Sequence, residues 1–556
     1  MKTLLKFLLW IIILALVAFA GYFFLGKSGE TRDIYGFVPD DFVYVIESDE
    51  PVRDWKNISS SEIWQYLKGV EYFEEVSASA DYLDSLLQVN ETLVEFVKLG
   101  DMLISSHIIS SQDYEMLFLV DIRGRNVNKF KQLLKLVFQR LDYKVSLDEY
   151  FNIDIYELYD PEENETLYMS ILDNILIASY RKDLLKESIN QSEKSSILDE
   201  SDLNIVKDRI GSGGTYTLYF NHQIMDSFLK LYTAQIPEMM QGMEEVLAYS
   251  SFGLSLDEDE AVLEGYVKQQ DSVASFLNVF KDVGKGKRHT ENVLPSETAF
   301  ISSITFDDFL DLYRRFDTYY GVENAEGHAE FLRSKEKIEK RLKINFEEDF
   351  FSWMTDEIAT AIIPIDEDYH QYSYYALLHF DNYDKAKEKL DFITRQIKKK
   401  TPLKFENKEY RGFEIKYLEM KGFFKLFFKK LFSKIEKPHY TFLDDYVIFS
   451  NDTTSLQFLI DQYLLQNVLK EDEAFTEFND NYNSRASVFT YIHNEYLFDY
   501  ILNTLDYESK QNLMENRNYL LSFPRVGFQL SPEAGMYETK VLSQFTPLEV
   551  EEMEYP

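Results

Sequence analysis

At 556 residues, with 45% apolar and 16% aromatic side chains, the chain exceeds one ordinary core and is too rich in Phe and Tyr to stay disordered. Its formal net charge of -38, from 58 Lys plus Arg against 96 Asp plus Glu, argues against a nucleic-acid partner, because counterion release would then oppose binding. The absence of cysteine excludes disulfides, thiolate zinc sites, Cys nucleophiles and an acylated N-terminal Cys.

In chain order, the first element predicted is a membrane span. Residues Phe7 to Leu25 carry no charge and no proline, and as a helix they would be about 28 Å long, the thickness of a bilayer core. Lys2 and Lys6 precede the run, and Trp10 and Tyr22 stand near its ends. These features predict a cytoplasmic tip at 1–6, a transmembrane anchor at 7–25 and an exported body. Ala18-Phe19-Ala20 leaves a cleaved signal peptide open, although the apolar run continues through Leu25. An exported chain without cysteine points to a single-pass protein of a bacterial inner membrane, its body in the periplasm.

The body reads as a duplication. Phe37–Tyr44 pairs with Val293–Phe300 around Pro39 and Pro295, and Tyr114–Arg123 pairs with Tyr374–Tyr383. Each of the latter leads into an amphipathic helix, at 127–141 and 384–399. Strand-like 152–160 and 412–420 follow, then hairpins over 167–179 and 439–450 with turns at Asp173-Asn174 and Asp444-Asp445. Thr217–Leu229 pairs with Thr490–Leu502, and closing hairpins pair 251–269 with 525–544. The predicted fold is α+β: two tandem repeats of mostly antiparallel strands with amphipathic helices, 37–280 and 293–548. Gly- and Lys-bearing residues 281–292 suit a linker, and 549–556 form an acidic tail.

Motifs that carry chemistry are missing from this pattern. None of the eight histidines stands in a metal-ligand spacing, and no nucleophile elbow, phosphate loop or dinucleotide glycine pattern occurs. His222 and His493, near one another in the aligned halves, read as packing residues. Gly211-Ser212-Gly213-Gly214 precedes a strand and reads as a turn, and Asp257–Glu260 as a solvated hairpin tip. The sequence therefore predicts no catalytic residue, no cofactor and no metal.

One segment reverses the charge balance. Within residues 421–438, a helix would gather Phe424, Phe427, Phe428, Leu431 and Ile435 on one arc, with Lys425, Lys429, Lys430, Lys434 and Lys437 around the rest. Phe423 and Leu426 fall on the lysine side. Such a helix suits an anionic bilayer surface or the lid of a lipid groove, which makes Phe424, Lys425, Phe427, Phe428, Lys429, Lys430, Leu431, Lys434 and Ile435 the candidate membrane or lipid contact. Packing of the Phe arc on the domain's own sheet is the competing account.

The anchor, the two Pro-led openings and the segment Asn345–Ala359 (NFEEDFFSWMTDEIA) together resemble large, single-pass, membrane-anchored periplasmic proteins of unknown function from Bacteroidota-type bacteria. That resemblance brings no activity and no site residues. The expected function is non-enzymatic: a tethered binding or scaffolding role toward another envelope protein or lipid. A lipid or lipoprotein carrier and a carboxylate-based hydrolase stand as alternatives.

Overall fold

The structure, a computed structural model, describes residues 32–68, 101–111, 113–122, 144–161, 164–211, 214–231, 243–270, 275–281, 283–366, 368–400, 407–418, 423–424, 432–505 and 507–548. It divides into two compact units, Met1–Val273 and Ala274–Pro556.

The first unit carries strands β1 (Phe42–Ser48), β2 (Met102–Ser110), β3 (Asp113–Asp121), β4 (Lys144–Tyr150), β5 (Ile153–Asp160), β6 (Glu165–Leu172), β7 (Ile175–Ser179), β8 (Tyr216–Asn221), β9 (Leu247–Leu256) and β10 (Glu260–Gln269). They pair antiparallel in the order β4-β5-β6-β7-β3-β2-β1-β8-β9-β10. The second unit carries β11 (Phe300–Thr305), β12 (Glu357–Pro364), β13 (Tyr372–His379), β14 (Lys408–Tyr410), β15 (Phe413–Tyr417), β16 (His439–Leu443), β17 (Tyr446–Ser450), β18 (Val488–His493), β19 (Arg525–Glu533) and β20 (Met536–Gln544). Their order, β14-β15-β16-β17-β13-β12-β11-β18-β19-β20, repeats the first strand for strand. The duplication read from the sequence is thus a repeated topology.

Register refines the sequence alignment. Tyr44 opposite Phe220 and Phe300 opposite Ile492 make Tyr219 equivalent to Tyr491, one residue from the sequence pairing. Asp121 opposite Ile175 and His379 opposite Tyr446 make Asp121 equivalent to His379, two residues from the sequence pairing. Side chains alternate faces along a strand, so a slip of two keeps the apolar pattern and escapes notice in sequence.

Local chemistry explains the elements. β7 and β17 are apolar along their length and buried at every position, as befits central strands covered on both faces. The turns before them put Asp173 (φ 53) and Asp444 (φ 52) in the left-handed region, which Asp tolerates through its short polar side chain. Amphipathic helices Lys182–Gln191 and Thr453–Leu464 follow these strands, burying Leu184, Leu185 and Ile189 in one repeat and Leu456, Leu459 and Ile460 in the other. In the second core, Asn345–Ala359 supplies Phe346, Phe350, Phe351, Trp353 and Met354, all buried.

The anchor at 7–25, the helix at 127–141 and the tail at 549–556 lie outside the described residues. Among the described residues no helix is long and apolar enough to cross a membrane. The stretch expected to be a linker is instead built into the second unit from Val283 onward: Val283, Arg288 and Thr290 are buried, and Asp307 N donates to Val283 O at 3.2 Å. Its glycines serve close approach. A Cβ on Gly286 would meet Asp356 O at 2.3 Å and Phe306 O at 2.4 Å.

Candidate functional site

Three segments of the second repeat bring polar side chains to one end of its sheet. His379 ends β13, Asp356 immediately precedes β12 and Glu357 starts it, and Asp444-Asp445 form the turn into β17. His379 Nε2 lies 3.2 Å from Asp445 Oδ2, and its Nδ1 lies 3.0 Å from Thr355 Oγ1 and 3.2 Å from Thr355 O. The His289 ring stacks on the His379 ring at 4.9 Å and 10°. Glu357, fully buried, accepts from His289 N (2.7 Å), Tyr446 OH (2.5 Å) and Ser303 Oγ. Burial opposes charge on His379, but hydrogen bonding and attraction from Asp445 outweigh it, so its pKa is raised. On His289 burial wins, helped by the neighbouring His379, and the pKa is lowered.

Short-range ligand spacings cannot reveal this grouping, because its members, His289 to Asp445, stand more than about 150 positions apart in the chain. The first repeat places Asp121 where His379 stands and Asn174 where Asp445 stands, joined by an Asn174 Nδ2 to Asp121 Oδ1 bond of 2.8 Å. Both repeats hold a hydrogen-bonded pair at this point. Only the second holds an imidazole.

The two histidines singled out by sequence are buried in their own repeats. His222 Nε2 lies 2.9 Å from Ser250 Oγ, and His493 stacks on Tyr496 at 3.9 Å. Burial lowers the His222 pKa to about 4, and burial with repulsion from Arg525 lowers that of His493 to about 3. The unfolded imidazoles protonate near pH 6.5, so between that pH and the folded values the unfolded chain binds more protons. Stability is therefore full above about pH 6.5 and falls, toward pH 4 or 3, by up to about 1.4 kcal/mol per pH unit for each ring. Urea unfolding at pH 7 and 5 is expected to show this slope, reduced in His493→Gln. An unchanged slope in that variant would contradict the assignment.

Ser105 Oγ lies 2.9 Å from His107 Nε2, and His107 Nδ1 lies 3.0 Å from Asp41 Oδ1. The connectivity is that of a nucleophile, base and orienting acid. However, Ser105 and His107 are sealed within β2, so a substrate carbonyl has no path to the hydroxyl. The trio reads as a buried polar group satisfied by its neighbours.

Of the proposed membrane contacts, Lys425, Phe427, Phe428, Lys429, Lys430 and Leu431 lie outside the described residues. Phe424 and Ile435 are buried in the second repeat's core, and Lys434 is exposed. Phe424 meets Phe449 at 4.8 Å and Phe432 and Phe423 at 5.4 Å. As placed, Phe424 and Ile435 are therefore unavailable to a bilayer. Phe423, which a single helical arc assigns to the lysine side, is equally buried, because it packs edge-on against Phe350 at 4.6 Å.

The edge hairpin of the first repeat shows the opposite exposure. β4 pairs only with β5 among the described residues, and Val145 (43%), Leu147 (57%) and Phe151 (74%) are exposed. Phe151 (φ 49) and Asn152 (φ 62) form a turn with two left-handed residues, a costly place for a bulky aromatic. In the second repeat Arg411 and Gly412 occupy this turn. There Tyr410 OH donates to Asp461 Oδ2 at 2.8 Å, and Arg411 Nε pairs with Asp461 Oδ1 at 3.0 Å. Tyr150 keeps the matching bond, donating to Asn190 Oδ1 at 3.2 Å, while Phe151 points to solvent. Ser146, Asp148 and Tyr150 face Glu157, Lys182 and Asn190, so Val145 and Leu147 occupy the other face. There they extend outward from their buried cross-strand partners Leu158 and Tyr156. A comparison of the two aligned turns, Phe151-Asn152 against Arg411-Gly412, is the sequence signal that would have exposed this surface.

Comparison with known proteins matches one family, described as "Protein of unknown function (DUF3352)", twice, over residues 108–391 and 291–522. No curated protein matches. Among solved structures, crystal forms III, IV and I of TP0453 are similar, at 12%, 13% and 14% identity and TM-scores of 0.24, 0.24 and 0.23. The matches cover 45%, 43% and 45% of this chain and 84%, 81% and 83% of theirs. With a repeated sheet order and two matches to one family model, the chain belongs to the DUF3352 family of proteins of unknown function.

Proposed function

We propose that this protein is a non-enzymatic scaffold of the bacterial envelope, tethered by residues 7–25, that recruits a protein partner along the outer edge of β4. The observation that carries this reading is the edge itself. A seven-residue strand with an unpaired side among the described residues displays Val145 and Leu147, and Phe151 stands at its turn. Exposed apolar edges invite strand addition, and natural proteins usually blunt them when no partner exists. Main-chain hydrogen bonds would supply affinity and the apolar face would supply selectivity. Glu149, exposed on the face of Val145 and Leu147, favours a partner segment carrying Lys or Arg.

The test is a pull-down of full-length tagged protein from crosslinked native membranes, beside Leu147→Asp and Phe151→Arg, the latter restoring the residue type of the second repeat. Both positions are exposed, so both variants should fold and fractionate with membranes as the wild type does. A stoichiometric protein partner, reduced about tenfold or more in Leu147→Asp, is expected, since losing a central apolar anchor commonly costs about 1–2 kcal/mol. An identical partner set from all three proteins would refute strand addition. Recovery of the wild type in the soluble fraction would refute the tether.

A further inference from the structure

We infer that the polar end of the second repeat's sheet is a site for one divalent transition-metal ion, held by Asp356, His379 and Asp381. One donor atom from each of these three side chains lies within 4.8 Å of the other two. An ion bound at about 2.0–2.2 Å holds its donors no more than about 4.4 Å apart, so a small side-chain rotation draws these three onto it. The donor set is one imidazole and two carboxylates, which suits zinc, manganese or iron(II) better than magnesium or calcium, since those favour all-oxygen cages.

The surroundings are those of a built site. His379 is buried, and its ring is fixed between the stacked His289 and the edge of Tyr446, whose ring lies 5.2 Å away. Asp445, on the Nε2 side, is an outer carboxylate of the kind that orients a metal-bound imidazole. Its second oxygen, Oδ1, is enclosed and has no hydrogen-bond partner in the structure. His289 Nε2 lies 3.8 Å from Asp356 Oδ2, close enough to become a fourth ligand with a small movement. Asp381 is exposed and Asp356 half-buried, so the site opens to solvent on one side and an ion has an entry path. Binding through Nδ1 displaces Thr355 and leaves Asp445 on Nε2 as that outer carboxylate. The first repeat, with Asp121 at the His379 position, lacks the imidazole, so the chain should take up one ion.

This inference is independent of strand addition at β4, which lies in the other repeat. The experiment uses full-length protein without a polyhistidine tag, stripped with chelator, then titrated calorimetrically with zinc and followed by absorption with cobalt(II). One equivalent of zinc, weakened at least about tenfold in Asp381→Asn and in Asp356→Asn, is the expected result. Asp381 is exposed, so its variant should keep the wild-type thermal midpoint without metal, which separates lost ligation from lost folding. Cobalt bound through His379 should give visible bands that His379→Gln abolishes. No saturable zinc binding, or zinc binding equally tight in both Asp variants, overturns the proposal.

Discussion

Phe424→Ala is expected to destabilise the second repeat by about 3–5 kcal/mol, the cost of truncating a fully enclosed Phe and leaving a cavity. Phe424 has no exposed surface, and its ring touches Phe423, Phe432 and Phe449, which belong to the same apolar cluster as Phe350 and Trp353. Aromatic rings this close leave little room for collapse, so the residual void should stay large. Trp353 packs on Phe350 at 5.6 Å and is the tryptophan of residues 274–556, so its fluorescence reports unfolding of this core in urea. The experiment also decides between the two accounts of the basic, Phe-rich segment. If Phe424 were a bilayer contact, the substitution would leave urea stability unchanged and lower binding to anionic vesicles instead.

Lys207→Met should cost the first repeat about 3 kcal/mol, because it strips the counter-charge from a largely buried carboxylate. Lys207 Nζ donates to Glu47 Oε1 and Oε2 at 3.1 Å and to Tyr35 OH at 2.6 Å, and it lies 4.4 Å from the Tyr35 ring centroid. Tyr219 OH donates to Glu47 Oε2 at 2.5 Å. Burial first pushes both phenols well above their ordinary range; the Glu47 carboxylate adds to this at Tyr219, and Tyr219 with Glu47 at Tyr35, so both stay protonated. Without the ammonium, Glu47 keeps one strong hydrogen bond for a charge that is mostly out of water. The double change Lys207→Met/Glu47→Gln should recover much of the loss, since a neutral amide tolerates the site better than a lone carboxylate. Urea denaturation of the three proteins checks this. A single-variant loss below about 0.5 kcal/mol, the level of an exposed ion pair, would contradict the buried-network account.

The duplication is legible because the two halves share apolar periodicity, Pro-led openings and Asx turns in one order. Those features act locally: alternation sets which face of a strand is buried, and Asp at positive φ sets the turn. The same periodicity is blind to slips of two residues, which is why alignment by pattern sets Asp121 against Asp381 and leaves the imidazole of His379 without its true counterpart. Residues 281–292 read as a linker from their glycines and lysines, yet Gly286 is there because Asp356 O and Phe306 O leave no room for a Cβ. That reason belongs to the partner segment and cannot be found in the glycine's own neighbours in sequence.

By itself, then, the sequence determined the class of fold, the number of repeats, the hairpin turns and the helix that follows β13, all consequences of short-range pattern. Only the tertiary structure decided which polar groups meet. His379, Asp356 and Asp445 come together because β12, β13 and β17 lie side by side, and an antiparallel register joins residues far apart in the chain. It likewise decided that Phe424 is core, since burial depends on what covers a side chain, and that Phe151 is not, since its equivalent Arg411 reaches Asp461 while Phe151 meets the neighbouring Tyr150 ring and otherwise faces solvent. Pattern fixes which face of an element is apolar, and packing alone fixes whether that face is covered.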